Sequence, residues 1–316
     1  MKSKTIKAVI RAKIDAWLAS IEDEGVRDMA AKSIIVTGGA IASMLLKETV
    51  NDFDVYFRDR ATTIAVAKYY VGRFSPEKKR GIACAISVDE SKTDRVRIVV
   101  KSAGIASESG TAKPYEYFES QQEGESRQYV AEVMDDRGDI QDAYENTKQA
   151  VGEDRQATDS RPSYRPVFLS TNAITLSDRV QIVLRFYGEP DAIHENYDFV
   201  HCTNYWTSWD GALVLRPAAL EALLARELVY VGSRYPVCSV IRLRKFIKRG
   251  WSINAGQILK AVMQISALDL TNIDVLQDQL TGVDCAYFSE VIAKLKESDP
   301  TKVNTAYLIE IIDRMF

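Results

Sequence analysis

Residues 34–56 read IIVTGGAIASMLLKETVNDFDVY. A short β-branched run precedes the glycine pair Gly38-Gly39, and a segment of helical character follows it. The next run alternates between the acids Asp52 and Asp54 and large apolar residues. This succession of an apolar run, a glycine pair, a helical segment and an alternating run predicts a strand, a tight turn, a helix and a second strand.

The glycine pair is typical of a turn that binds phosphate. Glycine has no Cβ, so the backbone at Gly38 and Gly39 can approach a triphosphate closely. The helix expected over residues 40–47 begins directly after the pair and points its free N–H groups at the same place. This segment therefore predicts a site for the phosphates of a nucleotide.

The carboxylates of Asp52 and Asp54 are expected on one face of the second strand, because alternate residues of a strand point to the same side. Phe53 then turns into the core. Two adjacent carboxylates repel each other unless a cation lies between them, and Mg²⁺ binds through a few carboxylates plus substrate phosphates. A strand with two solvated acids after a turn is the alternative interpretation.

The whole segment resembles the signature of the DNA polymerase beta nucleotidyltransferase superfamily, in which two small residues are followed, after a helix, by Asp-hydrophobic-Asp-hydrophobic. The resemblance implies an enzyme that binds Mg²⁺ or Mn²⁺ through Asp52 and Asp54 and uses an NTP such as ATP. It also implies a third catalytic, metal-binding carboxylate on a neighbouring strand. Asp198, in the strand expected over 197–205, is the candidate, because an unpaired acid between aromatic residues would be costly. The alternative is a solvated acid on an edge strand.

A second, weaker resemblance lies in residues 217–251. The run RLRKFIKRGW at 242–251 is similar to the neck of CCA-adding enzymes and bacterial poly(A) polymerases, and Asn172-Ala173 is similar to their ribose-contacting motif. The resemblance implies an RNA acceptor, with the 3′ end of tRNA as the first candidate. The nucleotide-binding residues that the two resemblances imply are Gly38, Gly39, Ser43, Arg242 and Lys245.

The chain departs from the pattern of those enzymes in three places. Tyr235 and Cys238 replace the Asp and Arg that read the incoming base, and they cannot make the same hydrogen bonds. Phe168-Leu169-Ser170 replaces an Arg-Arg-Asp run, and Ala42-Ser43 replaces an Arg-Asp pair. The departures weigh against C-then-A specificity and indicate a divergent, phage-type branch of the superfamily.

Periodicity along the chain predicts an α/β (α+β) fold in which a small mixed-sheet head precedes an α-helical domain. Residues 1–32 are expected to form an N-terminal helix, 33–104 and 164–215 the nucleotidyltransferase head, and 216–316 a helical neck and tail. Residues 105–163 are rich in Glu, Asp, Ser, Gln and Gly, and we expect them to be a flexible acidic insertion that carries little of the core.

Composition limits the class of protein. No stretch approaches the roughly 18 apolar residues of a membrane helix, and no apolar signal core follows the basic start, so we expect a cytoplasmic protein without membrane contact. The 4 cysteines show no CxxC pair, which argues against a zinc cluster or a disulfide framework. The net charge is −3, yet a local basic face for an anionic substrate is compatible with it.

Several alternatives stay open at this stage. The leading function is transfer of a nucleoside monophosphate from an NTP to an RNA hydroxyl, with release of pyrophosphate. The second is the same transfer to a protein or small molecule, as a nucleotidylating toxin performs it. The third is a non-catalytic protein that binds nucleotide, nucleic acid or a partner.

The basic run 242–249 is either an RNA contact or a solvated helix face above a buried stripe of Val240, Ile241, Phe246 and Ile247. His201 is expected to be packed rather than catalytic.

Overall fold

The structure is a computed structural model, and the residues that it describes are 1–73, 84–91, 95–102, 163–169, 172–270, Asn272, Val275, Asp278 and Gln279. These residues divide into two compact units. The first holds the described residues within 1–120, 151–194 and 202–216, and the second holds those within 195–201 and 217–316. Residues 103–162, which make up nearly all of the expected acidic insertion, lie outside the described residues.

A mixed seven-stranded sheet forms the centre of the first unit. Its strands are β1 (Ile34–Thr37), β2 (Phe53–Phe57), β5 (Pro166–Leu169), β6 (Ala173–Leu176), β7 (Val180–Tyr187), β8 (Tyr205–Thr207) and β9 (Leu213–Val214). Their order is β5-β6-β7-β2-β1-β8-β9. Only β2 and β7 pair in parallel within this described sheet; the other neighbours are antiparallel. A separate antiparallel pair consists of β3 (Cys84–Asp89) and β4 (Arg97–Ser102). The predicted mixed sheet is confirmed.

The helices of the first unit are α1 (Ser3–Ala19), α2 (Glu24–Ala31), α3 (Gly39–Leu46), α4 (Arg60–Arg73) and the short α5 (Pro190–His194). The single N-terminal helix expected over residues 1–32 is wrong, because α1 ends before Ser20 and a new helix begins at Glu24. Asp23 caps α2: its carboxylate accepts a hydrogen bond from the backbone N–H of Val26 at 3.0 Å, which satisfies one of the free donors at a helix start.

One face of the sheet is apolar and forms the core. Val36, Val55 and Ile182 lie side by side on three neighbouring strands, and none of them is exposed to solvent. The helices supply the other half of this core, and the contribution of α1 is Ile6, Ile10, Ile14 and Trp17. Phe53 is 4% exposed and belongs to the same cluster, so the prediction that it turns inward is confirmed.

The strand expected over residues 197–205 is wrong. Asp198 lies in a bend, Phe199 makes a single bridge with Tyr230, and Val200–Cys202 is a 3-10 helix. The backbone of 198–200 hydrogen-bonds to residues 229–231 at only two places, Val200 N to Val229 O and Val231 N to Asp198 O. Aromatic residues gave this run the composition of a strand, but these two bonds do not extend into a ladder.

The helices of the second unit are α6 (Pro217–Ala225), α7 (Pro236–Lys248) and α8 (Ala255–Ser266). The expectation of helix alone after residue 216 is corrected by two short parallel strands, β10 (Glu227–Leu228) and β11 (Ser252–Ile253). His201 is 2% exposed, and its ring centroid lies 4.4 Å from that of Trp251 and 4.8 Å from that of Phe246. His201 is thus the packed histidine that was predicted. None of the described helices has the length and apolarity needed to cross a membrane.

The buried stripe predicted for α7 is wrong. Val240 is 42% exposed and Ile247 is 50% exposed, whereas Cys238 and Ser239 are buried. The buried side of the first turns instead contacts Gln279 through Cys238 and Asp198 through Ser239. The exposed basic residues of this segment are Arg244, Lys248 and Arg249.

The hydrogen bond between Trp17 and Tyr70 gives a test of this core. The indole N–H of Trp17 donates to the Tyr70 hydroxyl at 2.7 Å, and both residues are buried. Tyr70→Phe leaves the indole N–H without its acceptor, and we expect a loss of ~1–3 kcal/mol in the free energy of unfolding. Urea denaturation measures it.

Tyr69→Phe is the matched control, because the Tyr69 hydroxyl accepts from the exposed backbone N–H of Glu22 at 3.0 Å. Water can replace this acceptor, so the control is expected to cost less than about 1 kcal/mol. Equal losses in the two variants would show that the buried hydrogen bond contributes no more to the free energy of unfolding than the exposed one.

Candidate nucleotide and metal site

The sheet face opposite the core carries a row of polar side chains. Thr37 of β1 pairs with Asp54 of β2, Asp54 pairs with Gln181 of β7, and Gln181 pairs with Thr175 of β6. Paired residues of neighbouring strands point to the same side of a sheet. These four side chains therefore lie next to one another, away from the apolar core.

The two acids of the candidate site flank a core residue. Asp52 lies directly before β2, Asp54 lies within it, and both are half-buried. Because Phe53 between them is buried in the core, strand alternation directs both acids to the polar face. The pairing of Asp54 with Thr37 brings the carboxylate next to the residue that precedes Gly38.

The turn after β1 requires glycine. Gly38 has φ 89° and ψ −149°, a conformation that residues with a Cβ rarely adopt. Its N–H donates to the carbonyl of Cys202 at 3.1 Å. Gly39 begins α3 and is exposed, and no atom outside its chain neighbours and its own helix backbone lies within 4 Å of the position where a Cβ would stand. The N-terminus of α3 is therefore open to a ligand, and Ser43 lies half-buried one turn further on.

The hydroxyl of Thr37 holds this turn in place. It lies 2.9 Å from the carbonyl oxygen of Asn204 and 2.8 Å from Nε2 of His194. A hydroxyl has a single hydrogen. When Thr37 donates it to the carbonyl of Asn204, His194 must donate through Nε2–H. Thr37 is fully buried and His194 is 4% exposed, so water cannot replace either bond.

His194 is neutral at pH 7. Burial and, to a smaller extent, the positive charge of Arg216 lower the pKa of His194 to about 4, and the carboxylate of Asp191 opposes both effects. Arg216 itself forms an ion pair with Asp191. Sequence reasoning missed Thr37 and His194, which lie 157 residues apart; the only local signal was a threonine directly before the glycine pair.

Asp198 lies in the second unit, where it is 8% exposed. Its Oδ1 accepts a hydrogen bond from the Ser239 hydroxyl at 2.8 Å, and its Oδ2 accepts from the guanidinium of Arg242. This pairing compensates the burial of the charge. Both oxygens of Asp198 are thus engaged by α7, on which Lys245 is also half-buried.

The two residues predicted to replace a base-reading pair, Tyr235 and Cys238, contribute to the packing of α7. Tyr235 is the N-cap residue of the helix and is 4% exposed, and Cys238 is fully buried with its Sγ against the carbonyl of Gln279. Within the described ranges, no group of three or more His, Cys, Asp or Glu side chains is placed to hold a metal ion. The first unit offers the carboxylate pair Asp52 and Asp54.

Fold and site together define a mixed α/β protein in which a glycine turn, a helix N-terminus and two carboxylates meet on the polar face of one sheet. The sequence model of the Gabija anti-defense 2 family matches residues 8–226. The chain therefore belongs to the Gabija anti-defense 2 family. The matched range includes Gly38, Asp52, Asp54 and Asp198, and it ends before α7.

Two solved structures are similar to this chain. One is the Bacillus stearothermophilus CCA-adding enzyme in complex with CTP, with 12% identity and a TM-score of 0.36 over 84% of this chain and 44% of that chain. The other is the Thermotoga maritima CCA-adding enzyme complexed with tRNA, with 10% identity and a TM-score of 0.35 over 84% of this chain and 49% of that one. The chain thus spans less than half the length of these enzymes. Likeness of this degree decides neither site nor substrate. A search of curated proteins finds no match.

The buried histidines predict a loss of stability on mild acidification. The folded pKa of His194 is about 4 against 6.5 for an ordinary histidine, and burial lowers the pKa of His201 in the same way. Below pH 6.5 the unfolded chain binds more protons than the folded one. The free energy of unfolding should then fall by ~2 kcal/mol per histidine between pH 6.5 and pH 5.

His194→Gln isolates one of these contributions, because the glutamine amide can still donate to Thr37 but does not titrate. Urea denaturation at pH 7.0, 6.0 and 5.0 should give the variant a pH slope about half that of the wild type. Parallel pH profiles for the two proteins would show that His194 is not buried in its neutral form.

Proposed function

We propose that this protein is a metal-dependent nucleotidyltransferase of the DNA polymerase beta type. It transfers a nucleoside monophosphate from an NTP to a hydroxyl group and releases pyrophosphate. The observation that carries the proposal is the strand register that sets Asp54 beside Thr37. This register joins the carboxylate pair and the glycine turn into one site.

The side chains present fit a divalent cation. Asp52 and Asp54 supply carboxylate oxygens on one face, and Mg²⁺ characteristically binds through one or two carboxylates plus the phosphates of its substrate. When bound, Mg²⁺ or Mn²⁺ would activate the attacking hydroxyl and stabilise the leaving pyrophosphate. Asp198 stays a prediction for the third carboxylate, as do Arg242 and Lys245 for the nucleotide.

The triphosphate is bound by the backbone of the glycine turn. Gly38 and Gly39 leave room for the phosphates, and the first N–H groups of α3 point toward them. The hydrogen bonds of Thr37 to Asn204 and His194 fix this turn before the nucleotide arrives. Less conformational entropy is then lost on binding.

The family name directs the choice of acceptor. Because the family is described as a Gabija anti-defense family, we infer that the hydroxyl which receives the nucleotide lies on a protein of that defence. Tyr235 and Cys238 are buried, which weighs against reading of an incoming base and so against addition of C and A to tRNA. RNA is the second candidate, and the exposed Arg244, Lys248 and Arg249 of the α7 segment favour it.

Labelled NTPs test the activity and the acceptor together. The protein is incubated with Mg²⁺, each of the four NTPs labelled on the α-phosphate, and either purified Gabija proteins or total RNA. Asp52→Asn and Asp54→Asn each remove a metal ligand, so label transfer should fall at least ~100-fold. Thermal unfolding should show that both variants remain folded.

Asp28→Asn is the matched control, since Asp28 is exposed on α2, and it should transfer label at the wild-type rate. If label appeared on RNA and on none of the Gabija proteins, the acceptor would be RNA rather than a protein. No transfer by the wild type, together with an Asp54→Asn variant that still counters the defence, would show a non-catalytic binding protein.

A further inference from the structure

The residue that faces Asp54 from the next strand is Gln181. β7 runs parallel to β2, and Gln181 is the partner of Asp54 in the register. Neighbouring strands lie about 4.8 Å apart, so the two side chains start from adjacent positions on the polar face. Val55 and Ile182, the next pair along, are both fully buried. A slip by one residue would expose them, and the apolar core therefore fixes this register.

The amide of Gln181 is available to a ligand. The residue is half-buried, and in the part of the chain that the structure describes its side chain makes no hydrogen bond. A half-buried amide that is not hydrogen-bonded within the protein loses part of its interaction with water and gains nothing in return. A cation held by Asp52 and Asp54 would restore that interaction, because amide oxygens are ligands of hard cations.

We propose that Gln181 supplies a neutral third oxygen ligand to the metal site of Asp52 and Asp54. The inference rests on the proposed function and adds one residue to it. The charge of the ligand set is then −2 rather than −3, so the site holds its cation less tightly than a site with three carboxylates. The triphosphate, which is itself an anion, meets less repulsion from the protein.

The Gln181 proposal and the Asp198 prediction name different residues as the third protein ligand. Both oxygens of Asp198 are engaged by Ser239 and Arg242, and a metal ion would have to displace one of these partners. Gln181 has no such partner to give up within the described residues. The two assignments therefore make opposite predictions for variants at residues 181 and 198.

Titration of the full-length protein with MnCl₂ separates these assignments, with the rise in the thermal unfolding temperature as the readout. Gln181→Glu adds a carboxylate beside Asp54. Without metal, the variant should unfold at a lower temperature than the wild type because the new charge repels Asp54. The Mn²⁺ concentration that gives half of the temperature rise, the Mn²⁺ midpoint, should fall at least about tenfold. Gln181→Ala removes a ligand and should raise the midpoint.

Thr175→Glu is the matched control. Thr175 pairs with Gln181 on the far side from Asp54, so its charge stands two strands, or about 9.6 Å, from the aspartate. The same added charge at this distance should change the Mn²⁺ midpoint less than about threefold, since screening by water and salt grows with distance.

Each outcome of this titration decides whether Gln181 is the third ligand. Unchanged midpoints in both Gln181 variants, or equal shifts in Gln181→Glu and Thr175→Glu, would overturn the assignment. If Asp198→Asn raised the Mn²⁺ midpoint and the Gln181 variants left it unchanged, the third ligand would be Asp198. If the wild type bound Mn²⁺ and Asp54→Asn lost it, the proposed function would survive these failures. If the wild type neither bound Mn²⁺ nor transferred nucleotide, both proposals would fall together.

Discussion

The hydrogen bonds of one buried hydroxyl, that of Thr37, connect the sheet to the candidate site. This side chain binds the backbone carbonyl of Asn204 and accepts from His194, while its backbone pairs with Asp54 on one side and Tyr205 on the other. Gly38 leaves the strand directly after it with a positive φ. The position of the glycine turn relative to the carboxylates therefore depends on Thr37 and on the buried His194 that hydrogen-bonds to it.

The separation of the two sheet faces is the second constraint. The three strands that carry Thr37, Asp54 and Gln181 direct the adjacent residues Val36, Val55 and Ile182 into the core, where none of the three is exposed to solvent. Apolar burial contributes about 25 cal/mol per Å², so the core sets the register far more strongly than the polar row could. The core side chains therefore position the site that we propose for metal and nucleotide.

The second unit uses its charges differently. Asp198 and Arg242 form a pair with Ser239 inside the unit, and removing one partner from such a buried pair usually costs more than the pair contributes. The family match ends at residue 226, before α7, whereas the glycine turn and both aspartates lie inside it. The glycine turn and the two carboxylates that we propose for the metal therefore lie in the matched part of the chain.

The sequence by itself determined the strand–turn–helix–strand unit, because local periodicity and the spacing of Gly38, Asp52 and Asp54 are properties of a short segment. It also determined that Phe53 and His201 are packed. It misplaced Asp198 on a strand, since aromatic composition imitates a strand where the backbone bonds only twice to residues 229–231. Only the tertiary structure decided that His194 supports Thr37 and that Gln181 stands beside Asp54. Both contacts join residues more than a hundred positions apart. Strand register places Gln181 beside Asp54, and the position of α5 places His194 beside Thr37, and no local pattern encodes either.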